Sequence, residues 1–264
     1  MRVIGIRVKP RHERFDLFKV IVDSIKGCDE HIEDDDIIVV SSKFVAMSQG
    51  RVIDMSSVVP ARDAYAIASR HNMDAKMAEL VLREADHVFS GVPGFLLTVK
   101  DGMLAPNAGI DRSNVMHGLS ILYPVEAFRM ADMLRDKFLM YERKRVGIVI
   151  TDSRLMPTRI GTSGVAVAVS GFEPVKDRRG SRDLFGNVMR VTLHAVADCI
   201  ASAANLVMGE TDESMPAAIV RGFKAKMSMR GYRWDDLAVP HEQCIYVRGL
   251  MGYANNIRQL WADR

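Results

Sequence analysis

A short apolar run at residues 146–150, Val-Gly-Ile-Val-Ile, is the feature that most constrains how this chain can fold. Its β-branched residues and polar flanks predict a strand buried on both faces. We expect the strand to end by presenting Asp152 and Ser153, whose oxygens suit Mg²⁺ or Mn²⁺ and, through the metal, phosphate groups. By itself, a Thr-Asp-Ser segment after a strand is more often a turn or a helix cap. The rest of the chain has to decide between these interpretations.

Composition narrows the class of protein. The chain has 264 residues, 48% of them hydrophobic, and a formal net charge of only +3 with scattered basic residues. We therefore expect a globular protein without a general nucleic-acid or membrane surface. Cys28, Cys199 and Cys244 lack zinc-site spacing and are typical of intracellular thiols. There is no signal-peptide pattern and no run of about 20 apolar residues, so we expect a cytoplasmic location.

Hydrophobic periodicity and turn signals predict alternating helices and strands. An Asp101-Gly102 pair between two apolar runs predicts a hairpin, and residues 50–54 are interpreted as a strand returning beside the strand at 37–40. No flexible linker or repeat divides the chain, which indicates one folded unit of one or two lobes. Helices are predicted at residues 15–26, 61–72, 74–85, 124–141 and 192–208, and strands at 1–8, 37–40, 50–54, 95–100, 103–106, 146–150, 165–169 and 217–220.

Three oxygen-rich segments are candidates to form one site. The first is the loop around Asp111, the second is Asp152 with Ser153, and the third begins at Glu210, directly after a helix that stops at Gly209. Gly209 fits a left-handed C-cap, and carboxylates just beyond it oppose the helix dipole, a conflict that a metal would relieve.

A fourth segment, Ser41-Ser42-Lys43, follows a predicted strand. Its backbone amides and ammonium group are suited to phosphate. A capped short helix with a solvated lysine explains the same residues equally well.

Four strings in this chain resemble those of the coenzyme F420-0:L-glutamate ligases. The similarity runs through most of residues 1–222, in the same order and spacing. The strings are Asn107-Ala-Gly-Ile-Asp111-x-Ser-Asn114-Val, Val-Ile-Thr-Asp152-Ser153, Lys176-Asp177…Gly180-x-Arg182-Asp183-Leu-x-Gly186, and Val196-Ala-Asp198…Ala-Asn205-Leu-Val-Met208-Gly-Glu210. By contrast, the chain has no P-loop, His-Glu-x-x-His or nucleophile-elbow motif.

The resemblance implies an α+β (mixed α/β) fold with largely antiparallel or mixed sheets flanked by helices, assembled as an intertwined homodimer. It implies a GTP-dependent amide ligase that joins L-glutamate to a deazaflavin-type acid through an acyl phosphate, with two divalent cations, Mn²⁺ or Mg²⁺, and K⁺ as a further candidate. By matching positions, Asp111 and Asp152 would hold one metal, and Ser153 and Glu210 the second. The nucleotide would contact Ser41, Ser42, Asn114, Met208, Gly209, Thr211, Asp212, Glu213, Ser214 and Met215.

Three nearby cations, Arg159, Lys176 and Arg182, are candidates to clamp phosphate or carboxylate. A solvated charged face explains each of them equally well. Residues 1–222 form the predicted catalytic unit. Residues 223–264 are interpreted as a cap or a dimer element.

The chain departs from the family pattern at several positions. Met47 stands where the family commonly has a second lysine, Leu155-Met156 replace a Gly-Arg pair, and Ser153 replaces a threonine. The loop Lys9-Pro10-Arg11-His12 replaces a Gly-Leu/Ile-Pro-type nucleotide loop. These changes leave three interpretations of the function open: a divergent F420-0 ligase, a paralogue acting on another acid, amine or nucleotide, and a binding protein that has lost turnover.

Overall fold

A mixed five-stranded sheet forms the centre of the computed structural model, which describes residues 1–11 and 13–251. Its spatial order is β1 (Arg2–Ile6), β12 (Ala217–Arg221), β2 (Ile37–Ser41), β8 (Gly147–Leu155) and β9 (Thr162–Ser170). The pair β2–β8 is parallel and the other neighbours are antiparallel. The chain is therefore a mixed α/β protein, as the sequence predicted.

Both faces of this sheet are buried, because side chains alternate between faces along each strand. Ile38 and Val40 face one apolar cluster, which contains helices α1 (Leu17–Gly27) and α5 (Ala127–Lys137). Ile37 and Val39 face a second cluster against helix α6 (Val196–Met208). This double burial explains why β2 and β8 have continuous apolar sequences.

A second layer of structure lies between β2 and β8 in the chain. It comprises α2 (Ser42–Ser48), β3 (Val52–Asp54), α3 (Arg62–His71), α4 (Ala75–Glu84), β4 (His87–Val92), β5 (Phe95–Lys100), β6 (Met103–Pro106) and β7 (Leu119–Ile121). The strands β4, β5 and β6 form one antiparallel sheet, which confirms the hairpin at Asp101-Gly102. Asp74 caps α4 as predicted, since its carboxylate accepts bonds from two backbone amides of the first turn.

Several predicted boundaries are wrong, each because a tertiary partner was not visible in the sequence. Strand β8 does not stop before Asp152 but continues to Leu155, since β9 pairs with it along that whole stretch. The return strand predicted at 50–54 is shorter, and β3 pairs with β7 instead of β2. Residues 193–195 are not helical: they form β11 (Leu193–Ala195), paired with β10 (Val175–Asp177). Gly209 has a positive φ of 75°, but its ψ of −179° is not left-handed helical.

The segment after residue 222 packs back onto the rest of the chain. Met227 bridges to Phe172, Tyr232 is buried against the α6 side of the central sheet, and Trp234 covers Gly102 at the hairpin turn. Helical backbone resumes at residues 245–251, and the remainder of the C-terminal segment lies outside the described residues. Within the described chain, every helix is too short or too polar to cross a membrane.

Candidate functional site

A cavity of about 550 Å³ opens at the end of the central sheet where β2 gives way to α2. Its walls come from five separate stretches of chain: the loop after β1, the start of α2, the loop after β6, strand β8 and the segment that follows α6. The lining residues are Val8, Lys9, Pro10, Arg11, Ser41, Lys43, Phe44, Met47, Asp111, Ser113, Asn114, Val115, Met116, Thr151, Asp152, Ser153, Asn205 and residues 208–216. The three oxygen-rich segments therefore converge, as predicted.

The first turn of α2 joins two of these segments. Ser42 Oγ donates to Asp152 Oδ1 at 3.1 Å, and the ammonium group of Lys43 lies 2.6 Å from Asp111 Oδ2. The helix is the short one that we considered for this segment, but Lys43 is held rather than solvated, because it also donates to the Ser113 hydroxyl at 2.6 Å. Consecutive residues of one helix thus link Asp111 and Asp152.

Asp111 is held as an anion by its neighbours. Burial alone would raise the pKa of Asp111, but the Lys43 ammonium group and the hydrogen bonds from Ser113 outweigh burial and place the pKa below its ordinary value. One of those bonds comes from the Ser113 backbone amide, which donates to Asp111 Oδ1 at 2.6 Å. An ionised carboxylate at the cavity wall is suited to a divalent cation.

Asp152 belongs to a buried network that the sequence analysis missed. The guanidinium of Arg154, only 6% exposed, donates from Nε to Asp152 Oδ2 at 3.0 Å. It also donates to the Leu104 carbonyl and, at 3.2 Å, to the Tyr123 hydroxyl. Arg154 lies two residues from Asp152 on the same face of β8. Residues two apart share one face of a strand, so this spacing would have indicated the contact if β8 had been predicted to extend past residue 154.

Glu210 lies on the other side of β8. Its Oε1 accepts hydrogen bonds from the Ser153 hydroxyl at 2.5 Å, from Thr162 at 3.1 Å and from Asn205 at 3.0 Å. These three donors offset the unfavourable placement of a carboxylate after a helix C-terminus. Alternation along β8 therefore presents Ser153 towards Glu210 and Asp152 towards the opposite face.

The segment after Glu210 is tied to the other walls of the cavity. Asn114 donates from its side chain to the Thr211 carbonyl at 2.7 Å, and the Val8 amide donates to the Ser214 carbonyl at 2.9 Å. The Ser41 amide donates to the Pro216 carbonyl at 2.8 Å. Of the residues expected at the nucleotide, Ser41, Asn114, Met208, Gly209 and residues 211–215 line the cavity, whereas Ser42 is buried behind it.

The four predicted metal ligands divide into two sets. Ser153 and Glu210 are in direct contact, and Asp111 and Asp152 are linked through α2. In residues 1–11 and 13–251, no three His, Cys, Asp or Glu side chains are grouped closely enough to enclose a metal by themselves. That arrangement fits Mg²⁺ or Mn²⁺, because Mg²⁺ is usually bound by one or two carboxylates, with substrate phosphates and water completing the shell. The donor set, entirely oxygen, also fits these cations.

The three predicted clamp residues lie elsewhere. Arg159, Lys176 and Arg182 are exposed and do not line the cavity of their own chain. Lys176 pairs with His194 in the β10–β11 sheet, and Arg182 donates to the Gly186 carbonyl at 2.7 Å. Among the described residues, the cavity wall instead carries Lys9, Arg11 and Lys43. Met47 lines the cavity, whereas Leu155 and Met156 are exposed outside it. His12 lies outside the described residues.

Comparison with known proteins shows a family that covers most of the chain. The family described as F420-0:gamma-glutamyl ligase matches residues 5–222. A coenzyme F420:L-glutamate ligase of Methanocaldococcus jannaschii is 37% identical over 216 residues, which cover 81% of this chain and 86% of the relative. The protein of the same description from Archaeoglobus fulgidus is 39% identical over 190 residues, covering 72% and 76%. One from Haloarcula marismortui is 36% identical over 198 residues, covering 73% and 77%.

The matched region, residues 5–222, contains every residue that we assigned to the cavity. Both the extent of the match and the identity of the relatives lead to the same conclusion. The chain belongs to the F420-0:gamma-glutamyl ligase family.

Proposed function

We propose that this protein is an amide ligase that joins L-glutamate to the carboxylate of coenzyme F420-0, with GTP as the phosphoryl donor and two divalent cations, Mn²⁺ or Mg²⁺, in the site. The observation that carries the proposal is the convergence of Asp111, Asp152, Ser153 and Glu210 on one cavity that also has cationic walls. The family and its relatives, described as coenzyme F420:L-glutamate ligases, support the choice of acid and amine.

The proposed reaction has two steps. The γ-phosphoryl group of GTP passes to a carboxylate oxygen of the acid, giving an acyl phosphate and GDP. The amine of L-glutamate then attacks the acyl carbon, and inorganic phosphate leaves as the amide forms. Phosphoryl transfer of this kind depends mainly on positioning and charge neutralisation, so it requires little covalent chemistry from the protein.

Each wall of the cavity has a task in this proposal. Asp111 and Asp152 would hold one cation and Ser153 and Glu210 the other, and the cations would supply neutralisation of phosphate charge. Lys9 and Arg11 face the cavity and are the cations that we assign to phosphate contact, while Lys43 keeps Asp111 ionised and in place. Asn114 fixes the segment after α6 through Thr211, so that segment is ordered before the nucleotide binds.

We also propose that the protein works as an intertwined homodimer. The segment between β10 and β11 carries Leu184 and Phe185, which are 100% and 90% exposed, and single chains rarely leave two adjacent large apolar side chains fully in water. Lys176 lies in β10 and Arg182 lies on this segment, and neither lines the cavity of its own chain. In the dimer, these two residues and Arg159 serve the cavity of the partner chain.

A paralogue acting on a different acid, amine or nucleotide remains the second candidate, because Met47 places a thioether on the cavity wall where the family commonly has an ammonium group. A nucleotide- and metal-binding protein without turnover is the third. The three candidates differ in the products that they would form from defined substrates.

The test is a mass-spectrometric assay of the purified protein with F420-0, L-glutamate, Mn²⁺ and either GTP or ATP. We expect glutamylated product and GDP with GTP, no GDP when the acid is omitted, and no glutamylated product when the amine is omitted. Asp152→Asn and Glu210→Gln should abolish product. Asp23→Asn is the matched control, because Asp23 is exposed on α1 and does not line the cavity. Product from another acid alone would favour the paralogue, and nucleotide binding without product would favour the binding protein.

A further inference from the structure

The two oxygens of Asp152 have unequal partners. Oδ2 accepts from Arg154 Nε at 3.0 Å, and Oδ1 accepts from Ser42 Oγ at 3.1 Å. A serine hydroxyl rotates freely and can turn to another acceptor, whereas a guanidinium is a rigid fork that cannot lose its charge. Oδ1 is therefore the oxygen that is easily released to a ligand, and Oδ2 is not.

Three further contacts fix Arg154 itself. Its NH1 donates to the Leu104 carbonyl at 2.8 Å, and its NH2 donates to the Tyr123 hydroxyl at 3.2 Å. Tyr123 is only 1% exposed, and burial raises the pKa of its hydroxyl far above the ordinary value, so the hydroxyl remains protonated. The Arg154 guanidinium also lies 5.9 Å from the centre of the Tyr123 ring, within the range of a cation–π interaction. Arg154 cannot move away from Asp152 without breaking buried contacts.

Arg154 does not act on a substrate directly. It is 6% exposed and is not part of the cavity wall, so a ligand in the cavity would contact Asp152 but not the guanidinium. Apart from the effect of its charge on the local potential, Arg154 can therefore influence binding only through the geometry of the Asp152 carboxylate. Residues that hydrogen-bond a metal ligand from behind commonly set its orientation.

We propose that Arg154 is a positioning residue that restricts Asp152 to binding a divalent cation through Oδ1 alone, and that this restriction favours Mg²⁺ and Mn²⁺ over Ca²⁺. The inference rests on the proposed function, because it takes Asp152 as a metal ligand. Ca²⁺ accepts bidentate carboxylates and six to eight oxygens, whereas Mg²⁺ requires a near-octahedral shell that a one-oxygen carboxylate suits better. With one lone pair of Oδ2 engaged by Arg154, the bidentate mode is disfavoured.

The ratio of the Ca²⁺ and Mn²⁺ dissociation constants separates the coordination mode of Asp152 from the effect of the Arg154 charge. Removal of the Arg154 charge changes the local potential for Mn²⁺ and Ca²⁺ by a similar amount, since both ions carry two positive charges. The change cancels in the ratio of their dissociation constants. A change in the ratio therefore reports the coordination mode rather than the charge.

The test is a calorimetric titration of the full chain with Mn²⁺ and with Ca²⁺, for the unaltered protein, Arg154→Met and Arg154→Lys. We expect the Ca²⁺-to-Mn²⁺ ratio of dissociation constants to fall by roughly tenfold in Arg154→Met, in line with the effect of residues behind a metal ligand. Lysine keeps the charge but cannot make all of the arginine's hydrogen bonds, so Arg154→Lys should show a smaller fall. If Arg154→Met does not fold, the ratio of dissociation constants measured for Arg154→Lys tests the inference.

Arg51→Met is the matched control. Arg51 is a half-buried arginine that donates to the Tyr123 carbonyl at 3.1 Å and pairs with Glu84, but it does not touch Asp152. It should lower stability and leave the ratio unchanged. A second check is the double variant Asp152→Asn with Arg154→Met, whose ratio should equal that of Asp152→Asn alone.

Two results would overturn the inference in distinguishable ways. If the unaltered protein binds Mn²⁺ and the folded Arg154 variants keep its ratio, the positioning role is wrong while the proposed metal site stands. If the unaltered protein binds neither cation, with or without GTP, the metal site of the proposed function fails and the positioning role fails with it.

Discussion

At the scale of single residues, the cavity wall keeps the carboxylates that the family pattern led us to expect but departs from that pattern at position 47. Asp111, Asp152 and Glu210 are carboxylates held by specific donors, whereas Met47 is an apolar side chain on the same wall. A thioether offers phosphate neither charge nor an N–H donor. The phosphate contacts of this protein therefore depend on the remaining wall cations, of which Lys43 is already paired with Asp111.

Met47→Lys should strengthen nucleotide binding. The new ammonium group would extend into the cavity, and a charge-assisted hydrogen bond to phosphate contributes about 1.5–3 kcal/mol, so we expect the dissociation constant for GTP to fall about tenfold. The measurement is a calorimetric titration with GTP in the presence of Mn²⁺. Met47→Leu is the control, and it should bind as the unaltered protein does. Equal affinity of the lysine and leucine variants would show that position 47 does not face phosphate.

At the scale of elements, the site depends on how closely β9 and α6 pack. A Cβ atom at Gly164 would lie 2.4 Å from the Ala201 carbonyl oxygen and 2.9 Å from the Asn205 side chain. Ser202 Oγ also donates to the Gly164 carbonyl at 2.8 Å. The absent side chain lets α6 approach the sheet, and this contact places Asn205 and Glu210 beside Ser153.

Gly164→Ala should therefore damage both stability and activity. The added methyl group meets backbone atoms that cannot rotate away, so we expect a loss of about 1–3 kcal/mol in the free energy of unfolding. Displacement of α6 should also weaken Mn²⁺ binding in the protein that remains folded. Denaturant unfolding and metal titration measure the two effects. Gly27→Ala is the control, because a Cβ there has no neighbour within 4 Å. Equal stability of both variants would contradict the packing argument.

Glu79 joins α3 to α4 and gives the fold a pH dependence. Its carboxylate accepts from the Ala61 amide at the start of α3 and from Arg83 on α4. The amide bond and then Arg83 lower the pKa of Glu79 below its ordinary value of 4.5. Because the folded state lowers this pKa, the stabilisation is present above the pKa of the unfolded chain and is lost as the pH falls through the folded value.

Glu79→Gln should lower the melting temperature at neutral pH, and the difference from the unaltered protein should shrink as the pH falls from about 5 to about 3. Circular-dichroism melts across this range provide the measurement. Glu126→Gln is the control, since Glu126 forms an exposed ion pair with Arg129 that contributes little. A difference that stays constant with pH would mean that the carboxylate charge does not stabilise the helix pair.

At the scale of the whole molecule, the segment from β10 to β11 is a part of the chain with large apolar side chains that are not packed against the rest of the chain. It exposes Leu184 and Phe185 and carries two of the clamp residues that the sequence analysis nominated. By contrast, the segment after residue 222 is packed onto its own chain through Met227, Tyr232 and Trp234. The two segments therefore differ: residues 223–251 pack onto their own chain, whereas the segment from β10 to β11 leaves Leu184 and Phe185 exposed.

The double change Leu184→Asp and Phe185→Asp should convert the proposed homodimer to monomers, because two charges cannot be buried in an apolar interface without partners. Sedimentation velocity measures the change. Val59→Asp is the control, because Val59 is 75% exposed on a different part of the molecule. A monomer before any change, or a dimer that survives both charges, would contradict the assignment of this segment to the interface.

Subunit mixing tests whether the dimer shares its sites. A chain carrying Lys176→Met and Arg182→Met and a chain carrying Asp152→Asn should each be inactive alone. If the clamp residues serve the partner chain, a mixed dimer contains one complete site and activity reappears on mixing. Persistent inactivity in verified mixed dimers would show that Lys176 and Arg182 do not serve the partner's site, and activity of the chain carrying Lys176→Met and Arg182→Met by itself would place them outside the site.

The sequence by itself determined the buried strands, most helices, the hairpin at Asp101-Gly102 and the oxygen-rich segments, because these depend on local periodicity, turn chemistry and residue type. Only the tertiary structure decided that β8 continues past Asp152, that residues 193–195 are a strand, and that Arg154 lies behind Asp152. Each of these features depends on a partner outside its own segment: β9, β10, or the Leu104 carbonyl and Tyr123. A local pattern specifies what a segment can form, but the pairing free energy that selects among those forms comes from residues brought near by folding.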